Sequence, residues 1–127
     1  MTSRPGGNLE GAKGAMAKTL MSDQMVDEVS QFFGALGDPS RLRLLRALLD
    51  VEGPLSQGAL SEKTGLSQAN ASKHLMYLVR VGLVARTPEG NSVLYHIATP
   101  MLVQVCDLVC GHVSERIKAT FHALKGE

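Results

Sequence analysis

The sequence predicts a mainly α-helical domain that carries one small β-hairpin. Apolar residues recur three and four positions apart in five separate stretches, which is the spacing of helices that bury one face. Capping residues precede several of these stretches and glycines follow them, as is typical of helix ends. One further stretch holds two short segments of branched and aromatic residues around a Pro-Glu-Gly-Asn turn, which indicates a hairpin.

Length and composition limit the chain to one ordinary domain. A hydrophobic content of 44% among 127 residues permits a core, and the low aromatic content of 4% predicts that leucine, valine and alanine build it. No run approaches the ~18 apolar residues of a membrane span. The N-terminus lacks the apolar stretch of a secretory signal, and there are only two cysteines. We therefore expect a cytoplasmic protein with reduced thiols and no membrane partner.

The folded domain is predicted to follow a short tail. Residues 1–20 contain four glycines and few large apolar groups, which predicts a disordered tail before a domain at residues 21–125. Ser22 is the expected cap of a first helix that Gly37 ends. A second helix should begin at Pro39, after Asp38, and run to about residue 49. We expect its leucines to face inward and its arginines outward: Leu42, Leu45, Leu48 and Leu49 against Arg41, Arg43 and Arg46.

Residues 56–82 predict two short helices around a tight turn. Ser56 should cap the first, and Gly65 supplies the left-handed residue that favours its end near Thr64. Ser67 should cap the second helix, which Gly82 ends. The apolar residues of this second helix share one face: Ala71, Leu75, Leu78 and Val79.

The opposite side of that second helix is suited to DNA. It carries hydrogen-bonding side chains with one cation and no carboxylate: Gln68, Asn70, Ser72, Lys73 and His74. Gln and Asn match adenine edges in the major groove, and Ser reads several bases. The net charge is only +1, but no acidic residue lies between Lys63 and Arg86. The pattern favours DNA contact over a merely solvated surface.

A hairpin and a long helix follow. Residues 83–86 and 93–97 are the expected strands, joined by the turn at residues 88–91; a hairpin in this place is a wing. Thr99 and Pro100 should open a last helix that ends near Leu124. Its apolar positions are Leu102, Val105, Cys106, Val109, Val113, Ile117 and Phe121.

This order of elements resembles the ArsR/SmtB family of winged helix-turn-helix repressors. The resemblance covers about residues 22–122 and rests on FFGALGDPSRLRLLRALL, on LSEKTGLSQANASKHLMYLVRVGLVARTPEGNSVLYHI and on the closing helix. It implies a homodimer through the first and last helices, bound to an inverted-repeat operator in double-stranded DNA and released by an inducer. It also implies a set of DNA contacts: Ser67, Gln68, Ser72, Lys73 and His74, with Asn70 and Tyr77 nearby, and Arg86 and Asn91 from the wing.

The metal sites of that family are only partly matched. Residues 54–63 contain neither cysteine nor histidine, so the thiolate site at that helix is missing. His112 and Glu115 match half of the zinc-type site, but Thr99 and Met101 stand where its other half is expected. Because zinc prefers four ligands, the sequence favours a solvated dimer rim for His112 and Glu115 over a metal site.

Cys106 and Cys110 are the remaining candidates for sensing an inducer. They lie four residues apart, so their Cβ atoms are about 5–6 Å apart on one helix face, whereas a disulfide needs about 3.5–4.5 Å. A soft metal, a metalloid such as arsenite, or a chain of sulfur atoms could span them. We therefore expect thiol sensing of reactive sulfur, an oxidant, or a soft metal or metalloid ion; no other cofactor is predicted.

One alternative to thiol sensing stays open. The cysteines could be small core hydrophobes in a DNA-binding regulator that a partner or its own abundance controls. An enzyme is not predicted, because the chain has no glycine-rich phosphate loop, nucleophile elbow or metalloprotease motif.

Overall fold

The computed structural model describes residues 22–126, which contain five helices and three strands. The helices are α1 (Asp23–Leu36), α2 (Pro39–Leu49), α3 (Gln57–Thr64), α4 (Gln68–Arg80) and α5 (Pro100–Leu124). The strands are β1 (Leu55–Ser56), β2 (Val84–Glu89) and β3 (Ser92–Ile97). The mainly helical fold with a hairpin is confirmed. The tail predicted at residues 1–20 lies outside the described residues.

The described residues belong to two compact units, of which the first contains α1 and the second begins at Pro39. In the first unit, Ser22 caps α1 as predicted, because its hydroxyl accepts a hydrogen bond from the main-chain N–H of Met25 at 3.1 Å. The helix ends before Gly37. Ala35 is its one buried residue, while Met25, Val26 and Phe33 are exposed.

The core of the second unit is built mainly from leucine, as the composition predicts. Its buried apolar residues are Leu44, Leu45, Leu48, Leu60, Ala71, Leu75, Leu78, Leu83, Val84, Tyr95 and Leu102. The predicted inner face of α4 is confirmed at Ala71, Leu75 and Leu78, which are fully buried, while Val79 is half-buried. This face fixes which side of α4 remains available to a ligand.

The predicted inner face of α2 is confirmed at Leu45 and Leu48, which are buried, and was wrong at Leu42. Leu44 is fully buried, whereas Leu42, expected inward, is 45% exposed. Arg41, expected outward, is half-buried. The run LRLL offers two apolar stripes with helical spacing, and the contacts of α2 with α3, α4 and β3 select the stripe that contains Leu44 and Leu48.

The three strands form an antiparallel sheet in the order β1-β3-β2. Strand β1, a two-residue strand that pairs with Tyr95 and Leu94, was not predicted. Strand β2 includes Pro88 and Glu89, which we expected in the turn, so Gly90 and Asn91 alone connect the wing strands. Proline is tolerated there because β2 lies at the sheet edge.

Helix α5 begins and ends where the sequence predicts, and the hydroxyl of Thr99 accepts a hydrogen bond from the N–H of Met101 at 3.3 Å. Only Leu102 is buried in it. Most of its large apolar residues are exposed: Met101, Val103, Leu108, Val109, Val113, Ile117, Phe121 and Leu124. None of the helices in the described part of the chain has the length and hydropathy to cross a membrane.

Candidate nucleic-acid interface and thiol groove

Helices α3 and α4 form a helix-turn-helix that local hydrogen bonds define. The Ser56 hydroxyl accepts from the N–H of Ala59, and the Ser67 hydroxyl accepts from the N–H of Asn70, each at 3.1 Å. Between the helices, Gly65 adopts a left-handed φ of 76°. A left-handed residue at this point costs glycine little and other residues more. Both predicted caps and the predicted stop are thus confirmed.

The predicted DNA-contacting residues of this unit lie on α4 or at its cap. Ser67, Gln68, Asn70 and Lys73 are exposed, and Ser72, His74 and Tyr77 are half-buried. Arg86 lies on β2 and Asn91 in the wing turn, and both are exposed. No acidic residue lies in α4. The exposed side of α4 can therefore approach a polyanion without a like-charge cost from its own side chains.

Arg41 of α2 contacts two of these residues, His74 and Tyr77. These contacts were not predicted from the sequence. Nη1 of Arg41 lies 3.3 Å from Nδ1 of His74, and its guanidinium carbon lies 4.5 Å from the centre of the Tyr77 ring. Arg80 contacts the same ring at 4.9 Å. The correct helical phase of α2 would have indicated Arg41, because it precedes the buried Leu44 by three residues.

Gln57 of α3 was also missed. Its Oε1 accepts a hydrogen bond from the hydroxyl of buried Tyr95 at 3.4 Å. Its Nε2 donates to Oε1 of Gln68 at 3.3 Å and to the main-chain oxygen of Gln68 at 3.4 Å. Gln57 thus joins a wing strand to the start of α4. Since Tyr95 is 38 residues from Gln57 in sequence, no local pattern could have revealed this contact.

The two cysteines line a groove of about 360 Å³ between α2 and α5, which we call the thiol groove. Its lining is Leu42, Arg43, Leu45, Arg46, Leu49, Asp50, Cys106, Asp107 and Cys110. Cys106 is half-buried and Cys110 is exposed. Burial raises the pKa of the Cys106 thiol, and the neighbouring Cys110 and Asp107 raise that pKa further. Cys106 therefore favours the neutral thiol.

His112 and Glu115 lie three residues apart on α5. Both are exposed, and Glu115 lies 3.9 Å from the ammonium group of Lys118 in an exposed ion pair. Within residues 22–126, no cluster of three or more His, Cys, Asp or Glu side chains could hold a metal ion. The two thiols of the groove suit a soft ion with two or three ligands better than four-coordinate zinc.

Comparisons with known proteins agree with this geometry. The family model "Helix-turn-helix domain" matches residues 36–87. The uncharacterized HTH-type transcriptional regulator Rv0081 of Mycobacterium tuberculosis is 34% identical over 86 residues, which are 68% of this chain and 75% of that protein. The solution structure of a homodimeric winged helix-turn-helix domain from Mycobacterium bovis, a possible ArsR-family regulator, matches with a TM-score of 0.69 and 29% identity over 77% of this chain and 92% of that one. This chain belongs to the ArsR/SmtB family.

Other ArsR/SmtB-like relatives carry names that refer to metals or metalloids. A probable mercury resistance operon repressor of Streptomyces lividans is 34% identical over 96 residues, 76% of this chain and 73% of that protein. The crystal structure of the antimony-specific repressor AntR matches with a TM-score of 0.67 and 26% identity over 78% of this chain and 88% of that one. These relatives are named as transcriptional repressors, and transcriptional regulation is the function class that the sequence predicts for this ArsR/SmtB protein.

Proposed function

We propose that this ArsR/SmtB protein is a dimeric repressor that binds an inverted-repeat operator through α4 and leaves it when an inducer reacts with Cys106 and Cys110. The observation that carries the proposal is the polar side of α4, which is exposed while the opposite face is buried in the core. In this proposal residues 21–125 act as one DNA-binding and dimerisation domain.

The residues proposed to contact DNA have two roles. Ser67, Gln68, Asn70, Ser72, Lys73, His74 and Tyr77 enter or border the major groove, and Arg86 and Asn91 contact the backbone or the minor groove from the wing. Base edges set sequence preference, and cations set affinity by displacing counterions from phosphate. Lys73 and Arg86 are both exposed, so binding should weaken steeply with salt.

A second copy of the chain is the proposed partner of α5. Exposed apolar residues recur along this helix at positions 109, 113, 117 and 121, so that one face is apolar for more than three turns. Met25, Val26 and Phe33 of α1 are also exposed. Pairing these faces around a two-fold axis would bury them and place two α4 helices about one turn of DNA apart.

The raised pKa of Cys106 favours a trivalent metalloid, which condenses with neutral thiols, over an oxidant or a soft metal ion, which react with thiolate. Oxidants react with thiolate, and Cys106 favours the thiol. Arsenite reacts with neutral thiols by condensation: two S–H groups and As(OH)₃ give two S–As bonds, one remaining As–OH and two water molecules. No electron is transferred. The name of the antimony-specific relative supports the same class of inducer.

Fluorescence anisotropy on the DNA upstream of the gene tests both parts. We expect tighter binding to one inverted repeat than to random duplex at matched salt, with release by arsenite at a lower concentration than by cadmium, an inorganic polysulfide or peroxide. The variants Cys106→Ser and Cys110→Ser should bind the operator normally but resist release.

Two results would contradict the proposal. Equal affinity for upstream and random DNA would remove the repressor function. Normal release of the double cysteine variant by the same compound would favour the alternative, a regulator without thiol sensing that a partner or its abundance controls. The position of Cys110, exposed in the single chain, argues against a core-packing role within one chain.

A further inference from the structure

Contacts around α4 determine which of its side-chain atoms remain available to a ligand. Arg41 and Gln57 lie outside α4. Each forms a hydrogen bond with a side chain proposed to read DNA, Arg41 with His74 and Gln57 with Gln68. We propose that Arg41 and Gln57 are positioning residues that orient His74 and Gln68 so that both offer N–H donors to DNA. This inference rests on the proposed DNA-binding function of α4 and extends it to the class of base edge that α4 reads.

Arg41 sets the tautomer of His74. A guanidinium group has only donors, so Nδ1 of His74, 3.3 Å from Arg41 Nη1, must accept the hydrogen bond. The ring hydrogen then lies on Nε2, which becomes a donor. Stacking on Tyr77 restrains the guanidinium in this place. The planar group thus has two partners that together fix its orientation.

Gln57 orients the side-chain amide of Gln68 so that its nitrogen, like Nε2 of His74, remains available as a donor. The Tyr95 hydroxyl donates to Oε1 of Gln57 and thereby directs the Gln57 amide nitrogen to Gln68. Because Oε1 of Gln68 accepts that hydrogen bond, its Nε2 group supplies the hydrogens for other partners. Gln68 itself is exposed. Bidentate reading of adenine needs Oε1 directed at the base, whereas the contact with Gln57 turns this oxygen toward α3, although it keeps a second lone pair.

The consequence for DNA is a preference for acceptors. In the major groove guanine presents N7 and O6, adenine presents N7, and thymine presents O4. Lys73 adds another group that only donates. With His74 and Gln68 also donating, α4 should read guanine-containing edges in preference to the amino groups of adenine and cytosine. This changes the adenine match that the amide side chain alone predicts for Gln68.

The experiment starts from in vitro selection with the full-length chain and a library of random duplexes about 30 base pairs long, enough for two half-sites one helical turn apart. Each purine of the recovered half-site is then replaced singly by its 7-deaza analogue, which has C–H in place of the N7 acceptor. We expect roughly a three- to tenfold loss of affinity where His74 or Gln68 donates to N7. The variants His74→Ala and Gln68→Ala should each become insensitive at one of these positions.

Variants of Arg41 separate positioning from a purely structural or charge effect. Arg41→Leu removes the donor to His74 and should abolish N7 discrimination at the His74 position while other positions keep theirs. Arg41→Gln retains an N–H donor without the positive charge. It should keep that discrimination, although its affinity falls through the lost charge.

A variant of Gln57 should change the preferred base itself. Gln57→Glu still accepts a hydrogen bond from Tyr95 but presents an acceptor to Gln68, so the Gln68 amide should turn and offer Oε1. Selection with Gln57→Glu should then recover adenine or cytosine, which carry amino groups, at the Gln68 position. In the matched control, Gln57→Glu combined with Gln68→Ala, this change of base should be absent.

The possible results distinguish the inference from the proposed function. If the wild-type chain enriches bases that offer amino groups at the His74 and Gln68 positions, and no 7-deaza substitution weakens binding, the inference is wrong and DNA binding stands. The same holds if Arg41→Leu and Gln57→Glu bind more weakly with unchanged base preferences. If no sequence is enriched over the input, both fail. Circular dichroism confirms folding, and Arg41→Gln and Gln57→Glu keep the test decisive if Arg41→Leu is unfolded.

Discussion

At the residue scale, the two cysteines differ in their surroundings although they share a helix face. Cys106 is half-buried in the lining of the thiol groove, while Cys110, one turn later, is exposed. Burial, the neighbouring Cys110 and Asp107 raise the pKa of Cys106, so ionisation of its thiol destabilises the folded state. The neutral Cys106 thiol therefore contributes to the free energy of unfolding in full below the ordinary cysteine pKa. This contribution is lost as the pH rises through the raised pKa of Cys106.

We expect this shift to appear in alkylation rates. In the Cys110→Ser variant, Cys106 should react with iodoacetamide along a pH profile whose midpoint lies above that of free cysteine, because burial and Asp107 remain. Adding Asp107→Asn should lower the midpoint, since one negative charge is removed. Mass spectrometry of quenched samples measures the rates. A midpoint at or below that of free cysteine would contradict the assigned cause.

A second residue prediction concerns the backbone of the turn between α3 and α4. Gly65 has a φ of 76°, a conformation that costs other residues about 1–2 kcal/mol. Gly65→Ala should therefore lower the free energy of unfolding by about 1 kcal/mol in urea denaturation. Gly58 is the matched control, because it lies in helical α3 and a Cβ there meets only ordinary contacts at 3.8 Å or more. Equal losses in both variants would refute the explanation.

At the element scale, helix ends were predictable and helix phases were less so. Ser22, Ser56, Ser67 and Thr99 all cap the helices that the sequence assigns to them. A cap depends on a hydroxyl and an N–H two or three residues away, so local sequence is sufficient. The phase of α2 depends on what packs against it, and its leucine-rich run is compatible with more than one face.

Long-range contacts explain the other differences between prediction and structure. Strand β1 exists because Leu55 and Ser56 meet β3, and Arg41 meets His74 33 residues away. Neither contact leaves a periodic signal in the sequence. The residues that α4 exposes were therefore predictable from local pattern, whereas the residues that orient them were not.

The cap of α4 offers a test that separates stability from DNA contact. Ser67→Ala should lower the free energy of unfolding by about 1 kcal/mol, since the N–H of Asn70 loses its acceptor. Ser67→Asp supplies another good cap and should retain stability, but its carboxylate should weaken DNA binding by repulsion from phosphate. Urea denaturation and anisotropy measure the two effects. Unchanged DNA affinity in Ser67→Asp would mean that Ser67 is only a cap.

At the scale of the whole molecule, the exposed apolar face of α5 is the feature that the single chain leaves unexplained. Val113, Ile117 and Phe121 are 44%, 63% and 57% exposed. Contiguous exposed apolar surface usually marks an interface in a stable protein. The thiol groove borders the same helix, so in the proposed dimer a reaction at Cys106 and Cys110 would take place close to the interface. That proximity offers a physical route from thiol chemistry to DNA release.

Breaking this face should separate dimerisation from folding. Ile117→Glu places a charge in the centre of the apolar stripe, where dimer formation would bury it without a partner, so we expect a monomer in sedimentation velocity. The buried core of α2, α3 and α4 does not include Ile117, and helix content should therefore persist. Operator affinity should fall at least tenfold, because one chain contacts only one half-site.

Ala119→Glu is the matched control. It adds the same charge on the other side of α5, where Ala119 is exposed, and should remain dimeric with normal binding. A dimeric Ile117→Glu variant, or equal losses in both variants, would exclude this face as the interface.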